Sequence, residues 1–165
     1  MLFRSIYITI PGKAKLEDVK IEVGAGEVSI DLLTAQDIKL KVGAGTLTAK
    51  NIDTEKLDAE CGMGAMELAG TVNGKAKLDC GMCNMVFNGT VLGDLTGDCG
   101  MGRMELNLTG QETDYNYKLN CGMGSIEIGD TSYSGLGREK TLSSNTENEI
   151  SLECGMGSVE VNFKK

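Results

Sequence analysis

The sequence predicts a single all-β domain over residues 1–165, built as a β-solenoid of the parallel β-helix type. Two observations carry this prediction: a four-residue motif that recurs at a nearly fixed interval, and an alternation of apolar and polar residues around each copy. A fixed period of about 20 residues is typical of stacked repeating units. Alternation with a period of two is typical of β-strands rather than helices.

Each copy of the motif has an apolar residue, a glycine, a second apolar residue and, in all copies but one, a second glycine. The first five copies begin 19 residues apart, the next interval is 22 residues and the last is 33 residues. We therefore expect coils of about 19 residues, seven to eight in number, with equivalent positions of successive copies stacked about 4.8 Å apart. The copies begin at residues 23, 42, 61, 80, 99, 121 and 154.

The third copy shows how the strands and corners follow one another. Leu57, Ala59 and Cys61 alternate with polar residues before the corner, and Met66 and Leu68 share one face after it. The parity of the alternation slips between these two runs, which indicates a bend between two short strands. We expect residues 1–19 to form an atypical N-terminal capping coil, and residues 131–149 to form an inserted loop.

The composition excludes several classes of function. The chain carries a net charge of −8 and has no histidine, so it lacks the basic surface that nucleic acids need and the commonest general base and metal ligand. Hydrophobic residues make up 41% of the chain and aromatic residues 4%, which indicates an aliphatic core. No catalytic residues and no cofactor-binding residues are predicted, and the chain is not expected to be an enzyme.

An ordered set of segments resembles a known family. They are Tyr115–Tyr117, Cys121–Gly129, Ser134–Gly137 and Ile150–Val161. Together they resemble the adhesin-like β-solenoid domain family of Gram-positive bacteria, whose function is unknown. The resemblance implies a β-solenoid that segments absent from this chain tether at the outer face of the cytoplasmic membrane. The chain departs from the family pattern at Cys83, where glycine is usual, and this places the local corner geometry in question.

Two columns of residues are expected to form a structural ladder inside the coil. In the first column valine replaces cysteine in the first two copies, which indicates a small buried apolar group that stays reduced. The methionines follow the cysteines by two positions, so the alternation also predicts them inward; facing outward, they would form an adaptable apolar binding surface. The predicted ladder contains Cys61, Cys80, Cys99, Cys121, Cys154, Met63, Met82, Met101, Met123 and Met156.

Cys80 and Cys83 form a lone Cys-x-x-Cys pattern, which leaves three interpretations open. They are packing residues, a disulfide or redox pair, or part of a zinc site with Cys61 and Cys99 of the neighbouring coils. We expect no metal site, and Cys80 and Cys83 are the candidates if one exists. Outward positions beside the motif are mostly acidic, which predicts acidic columns on the surface.

The leading functional prediction is a non-catalytic scaffold or adhesin-like binding module of the cell envelope. Its partner would be an envelope or surface ligand, protein or carbohydrate, which the inserted loop contacts through Tyr133, Leu136 and Arg138. Alternatives are a thiol- or metal-dependent envelope sensor built on Cys80 and Cys83, and a carbohydrate-active solenoid enzyme. We expect an extracytoplasmic, membrane-tethered location through an upstream segment, with the cytoplasm as the alternative. End-to-end self-association is left open.

Overall fold

The computed structural model describes residues 16–134, 138–144 and 146–164, and these residues form strands almost throughout. Among them the one helix is the three-residue 3₁₀ helix Glu112–Asp114, and no helix is long and apolar enough to cross a membrane. The all-β prediction is therefore confirmed. The strands are β1 (Leu16–Val23), β2 (Glu27–Ile30), β3 (Leu33–Val42), β4 (Thr46–Cys61), β5 (Ala65–Cys80), β6 (Asn84–Val91), β7 (Leu95–Cys99), β8 (Arg103–Thr109), β9 (Asn116–Cys121), β10 (Ser125–Ile128), β11 (Thr131–Ser134), β12 (Arg138–Leu142), β13 (Glu149–Cys154) and β14 (Ser158–Lys164).

Successive turns of the chain pair in parallel, each one coil length from the last. The chain forms a β-solenoid of about five turns with a spacing of about 19 residues. The predicted count of seven to eight successive coils is not matched, because the chain leaves this regular progression after β8. The predicted capping coil, 1–19, lies outside the described residues except for 16–19, which begin β1. Equivalent positions that lie side by side are Val23, Val42, Cys61, Cys80 and Cys99.

In the two longest strands, β4 and β5, two irregularities divide the chain into three segments. Where β4 pairs with β5, the register shifts between Ala49 and Ile52 and again after Thr54. At the first of these irregularities Asn51 has a φ of 53° and Gly70 a φ of 152°, a region that glycine and asparagine adopt most readily. A Cβ on Gly70 would also lie 2.5 Å from the backbone nitrogen of Ile52. The coil therefore requires a residue without a side chain at this point.

The recurring motif forms a corner of each turn. Residues 62–64, for example, bend the chain between β4 and β5. The backbone N–H of Met82 donates to the carbonyl of Gly62 at 2.8 Å, and the same hydrogen bond joins the later corners. A Cβ on Gly102 would lie 2.7 Å from the Sγ atom of Cys80. Glycine at the fourth motif position leaves space for the thiol on the neighbouring coil, and Cys83 is the one exception among the seven copies.

The last two coils do not stack in chain order. Strand β13 lies between β7 and β9, and strand β14 lies between β8 and β10. The C-terminal coil, 149–164, is thus inserted between the coil that ends with β8 and the coil formed by 116–128. The longer 22-residue interval supplies chain for a step over two layers instead of one. The prediction that coils stack in the order of the sequence is therefore wrong for these two coils.

The residues predicted as an inserted loop, 131–149, form strands over much of their length. Strand β11 pairs antiparallel with β10, and strand β12 pairs antiparallel with β9. Without them the coil of 116–128 would leave a row of unpaired backbone groups at the end of the stack. The segment covers this edge, so the loop prediction is corrected to an end cap for 131–134 and 138–142.

The inserted C-terminal coil leads to a specific truncation prediction. Ending the chain after Asn148 removes β13 and β14. The coil of 116–128 and its end cap pair with the rest of the sheet through these two strands. Stability in a solenoid resides in contacts between neighbouring coils, so residues 116–142 should lose their structure as well. Hydrogen exchange should show lost amide protection at 116–134 while 38–68 stays protected. Unchanged protection at 116–134 would contradict the inserted position.

Candidate functional site

The cysteine column lies in the interior, as predicted. The exposed fraction is 0% for Cys99 and at most 4% for the other four members. Burial raises the pKa of the Cys61 and Cys99 thiols, and it raises that of Cys154 to about 11, with smaller contributions from Cys99 and Cys121. Thiols with raised pKa values stay protonated at neutral pH and are poor nucleophiles. The column therefore serves packing.

Cys80 and Cys83 are joined by a disulfide, with their Cα atoms 5.6 Å apart. The expectation of reduced thiols is thus wrong for Cys80, because the side chain of Cys83 lies within bonding reach in the same corner. The corner itself is undisturbed, since the N–H of Asn84 still donates to the carbonyl of Gly64 at 3.1 Å. The disulfide removes two thiolates from the suggested zinc set. Among the described residues no group of three or more His, Cys, Asp or Glu is arranged to hold a metal ion.

The five motif methionines face the solvent, so the prediction that they belong to the interior is wrong. Their exposed fractions range from 54% to 68%. The alternation that predicts an inward methionine holds only inside a strand, and the strand before each corner ends at the cysteine. The bend that follows turns the third motif position outward. We call this surface the methionine rib; in stacking order it consists of Met63, Met82, Met101, Met156 and Met123.

The predicted interaction loop is only partly a loop. Tyr133 lies in β11 and packs partly buried against the core. Arg138 begins β12, where its backbone pairs with Cys121, and its side chain lies outside the described part. Leu136 also lies outside the described residues. The proposed contact through these three residues therefore stays a prediction, because two of the three side chains lie outside the described part.

A long groove of about 900 Å³ runs along the stack. It lies where the strand segments that lead to the motif begin, at the end of those segments away from the motif corner. Two columns of outward-facing side chains form its walls, and the backbone of inward-facing residues such as Ile38 and Leu57 lies between them. The groove crosses six layers, or roughly 24 Å from five spacings of about 4.8 Å. The columns are Asp18, Asp37, Lys56, Lys75, Asp94 and Glu149, and Lys20, Lys39, Asp58, Lys77, Thr96 and Ser151.

Lysines gather at the centre of the groove in an otherwise acidic protein. Lys56 and Lys75 are direct neighbours in the register, so their side chains project from adjacent layers of one wall, where like charges repel. Each reaches a carboxylate only at its outer side, Lys56 to Asp37 and Lys75 to Asp94, both at 3.5 Å. These pairs are exposed and therefore weak. The centre of the groove can accept an anion.

Asp58 supplies an unsatisfied acceptor beside these lysines. Its Oδ2 atom accepts a hydrogen bond from Lys39 at 2.8 Å, and this bond raises the pKa of the Lys39 ammonium. Its Oδ1 atom is buried and has no hydrogen-bond partner among the described residues. A buried acceptor without a donor is costly. The atom has almost no exposed surface, so a ligand hydroxyl or amide would satisfy it only after a small shift of the neighbouring side chains.

Sequence reasoning missed the groove because its walls exist only after the coils stack. A signal was nevertheless present at the 19-residue period, where Lys20, Lys39, Asp58 and Lys77 follow one another. The sequence pattern predicts the acidic column instead, which lies on the next outward position along each strand. In that column burial and the neighbouring charge of Asp98 raise the pKa of Asp79.

The buried thiols predict how stability depends on pH. The pKa of Cys154 rises from 9.0 to about 11 on folding, so between these values the unfolded state binds fewer protons. Its contribution to stability is therefore complete below pH 9 and is lost as pH rises towards 11. Urea unfolding at pH 8 to 10.5 should show a falling free energy of unfolding. For Cys154→Val, which carries the valine found at this position in the first two coils, the free energy of unfolding should fall less steeply with pH. An equal slope would contradict this prediction.

The comparisons with known proteins identify a family. The profile of the Toastrack DUF4097 family matches residues 2–135. The searches of curated proteins and of solved structures found no match. The matched region holds the first six copies of the motif and stops before the inserted C-terminal coil. Since it spans well over half of the chain, this chain belongs to the Toastrack DUF4097 family, whose function is unknown.

Proposed function

We propose that this protein is a non-catalytic binding module that holds an extended anionic carbohydrate in the long groove. The observation that carries the proposal is the pair of neighbouring lysines, Lys56 and Lys75, at the centre of a groove of about 900 Å³. This volume lies at the upper end of the range of about 300–1,000 Å³ typical of small-ligand sites. A carboxylate or phosphate between the two ammonium groups would relieve their repulsion.

The remaining groups in the groove favour a hydroxylated ligand. The Oδ1 atom of Asp58 lacks a donor, and a sugar hydroxyl would supply one once a neighbouring side chain gives way. Lys77 is exposed on the same wall and adds a third ammonium group. A linear ligand suits the site because the walls repeat along a straight axis. We therefore favour an acidic oligosaccharide over a compact metabolite.

Binding fits the groove better than catalysis does. Asp37, Asp58 and Asp94 each lie within a salt-bridge distance of a lysine. Carboxylates held in this way position ligands and lysines, whereas glycoside hydrolysis needs one carboxyl group that keeps a proton and a second one opposite it. No observation favours the carbohydrate-active enzyme, so we do not propose it.

The location at the cell envelope and the adhesin-like role remain proposals. The acidic charge of −8 and the resemblance to tethered solenoid domains support them. An acidic chain is repelled by anionic membrane surfaces, so we expect attachment through a segment outside this chain. An envelope polymer would then lie within reach of the groove.

Substitution of one central lysine tests the proposed site. Lys75→Ala should weaken binding of acidic oligosaccharides of four to six units about tenfold or more, because a hydrogen bond to a charged group contributes about 1.5–3 kcal/mol. Calorimetric titration measures the affinity, and neutral oligosaccharides of equal length provide the comparison. Lys50→Ala is the matched control, since Lys50 is exposed outside the groove. Equal losses in both variants, or no binding by the unaltered chain, would refute the proposal.

A thiol-dependent sensor remains the second candidate, and the disulfide is the observation that favours it. Cys83 stands at the motif position that otherwise holds glycine, and it pairs with Cys80 within one corner. Both cysteines are buried, with exposed fractions of 0% and 4%. In a sensor, reduction of the disulfide would have to change the conformation of this corner and of the neighbouring coils.

Cys83→Gly separates sensing from packing. Closing a loop of four residues stabilises a protein by about 2 kcal/mol at most on chain entropy, so the variant should remain folded with only a modest fall in the denaturation midpoint. If the disulfide only packs the corner, reduction of the unaltered protein should leave the amide spectrum unchanged beyond residues 61–103. Changes that spread to the groove would favour the sensor, provided that Cys83→Gly reproduces them.

A further inference from the structure

The methionine rib places a row of apolar side chains in water without a partner in the described structure. An exposed methionine forgoes the favourable free energy that burial of its side chain would give. Alanine occupies the same position in the first two coils, at Ala25 and Ala44, so the corner itself does not require a long side chain. The inward positions use several aliphatic residues, whereas this outward position holds methionine in all five later coils. Methionine differs from those residues in its thioether sulfur.

The backbone holds the rib at a fixed spacing. The N–H of Met82 donates to the carbonyl of Gly62 at 2.8 Å, and Met101 repeats this contact with Gly81. Neighbouring methionines therefore start about 4.8 Å apart, the spacing of adjacent strands. Three rotatable bonds in each side chain let sulfur atoms of neighbours converge on one point.

Nothing but backbone lies beside each methionine along the chain. Met63, Met101, Met123 and Met156 have a glycine on both sides, and Met82 has glycine on one side and the buried Cys83 on the other. The nearest side chains that project from the corner are therefore other rib methionines. The thioethers are accessible to a small solute and to one another.

Carboxylates border the rib on both sides, although Lys41 pairs with Glu60 and Arg103 pairs with Glu160. The outward position before each buried cysteine and the outward position after each corner carry carboxylates in most of the rib coils. Columns of like charge attract small cations from solution, while carboxylate oxygens are poor ligands for soft metals. The flanking carboxylates are Glu60, Asp79, Asp98 and Glu153, and Glu67, Glu105, Glu160 and Glu127.

We propose that the methionine rib is a binding site for a soft monovalent metal cation, Cu(I) or its chemical analogue Ag(I). Two or three neighbouring thioethers ligate the ion, because sulfur ligands of this type select soft cations over Mg²⁺, Ca²⁺ and Zn²⁺. The ion keeps its oxidation state on binding, so no electron donor or acceptor is involved. The site is separate from the groove, and neither proposal depends on the other.

The stacking order provides a sharp test, because the C-terminal coil lies between its neighbours. Met82→Leu with Met156→Leu leaves the three remaining rib thioethers with no adjacent partner. Met63→Leu with Met123→Leu removes the same number but leaves three adjacent thioethers. Leucine preserves the apolar surface, so a partner that merely docks on the rib would not distinguish the variants. The first pair should weaken Ag(I) binding at least tenfold, and the second pair should change it less than threefold.

Methyl NMR on the unsubstituted protein locates the bound ion. With the methionine methyl groups labelled by carbon-13, Ag(I) should shift the rib signals and leave the buried Met66, Met85 and Met104 unchanged. Competition with a Cu(I) chelator gives the affinity for Cu(I) under reducing conditions. Equal binding by the two double variants, or loss of free thiols with unshifted rib signals, would overturn the proposal.

Discussion

Close approach of glycine corners is the constraint on which the rest of this structure depends. A Cβ on Gly43 would lie 2.8 Å from the carbonyl oxygen of Gly24, and one on Gly100 would lie 2.9 Å from that of Gly81. Real side chains cannot approach a backbone so closely without displacing it. Glycine at these positions allows the corners to form a continuous ladder of backbone hydrogen bonds. The ladder fixes the register of every coil, and the register decides which residues stack.

Once the register is fixed, each position of the repeat becomes a column. Inward columns bury cysteine, leucine and isoleucine, while outward columns present the same chemistry at intervals of about 4.8 Å along the stack. The groove and the methionine rib both arise in this way. Neither depends on a single residue held in an unusual place. A change in one coil therefore alters one step of a surface and leaves the neighbouring steps in position.

Charge is distributed unevenly along the stack. In the first coils lysines neutralise the acidic columns: Lys41 reaches Glu60 at 2.6 Å, and this contact lowers the pKa of the Glu60 carboxyl. Further along the same column, Asp79, Asp98 and Glu153 are neighbours in the register, and none of them has a basic residue directly beside it in that column. The carboxylates of this column thus lack a basic neighbour only in the later coils. The rib methionines begin where the acidic neighbours begin.

The sequence by itself determined the repeat, the all-β class and the interior of the coil, because a 19-residue period and a two-residue alternation are local properties of the chain. It predicted the buried cysteine column correctly, since Val23 and Val42 stand at the same position. It failed at the methionines, because alternation ceases where a strand ends and the corner turns the next side chain outward. Only the tertiary structure decided that the C-terminal coil inserts between two earlier coils and that β11 and β12 cover the end. Those pairings join strands distant in sequence, and no local pattern specifies which edge a strand will find.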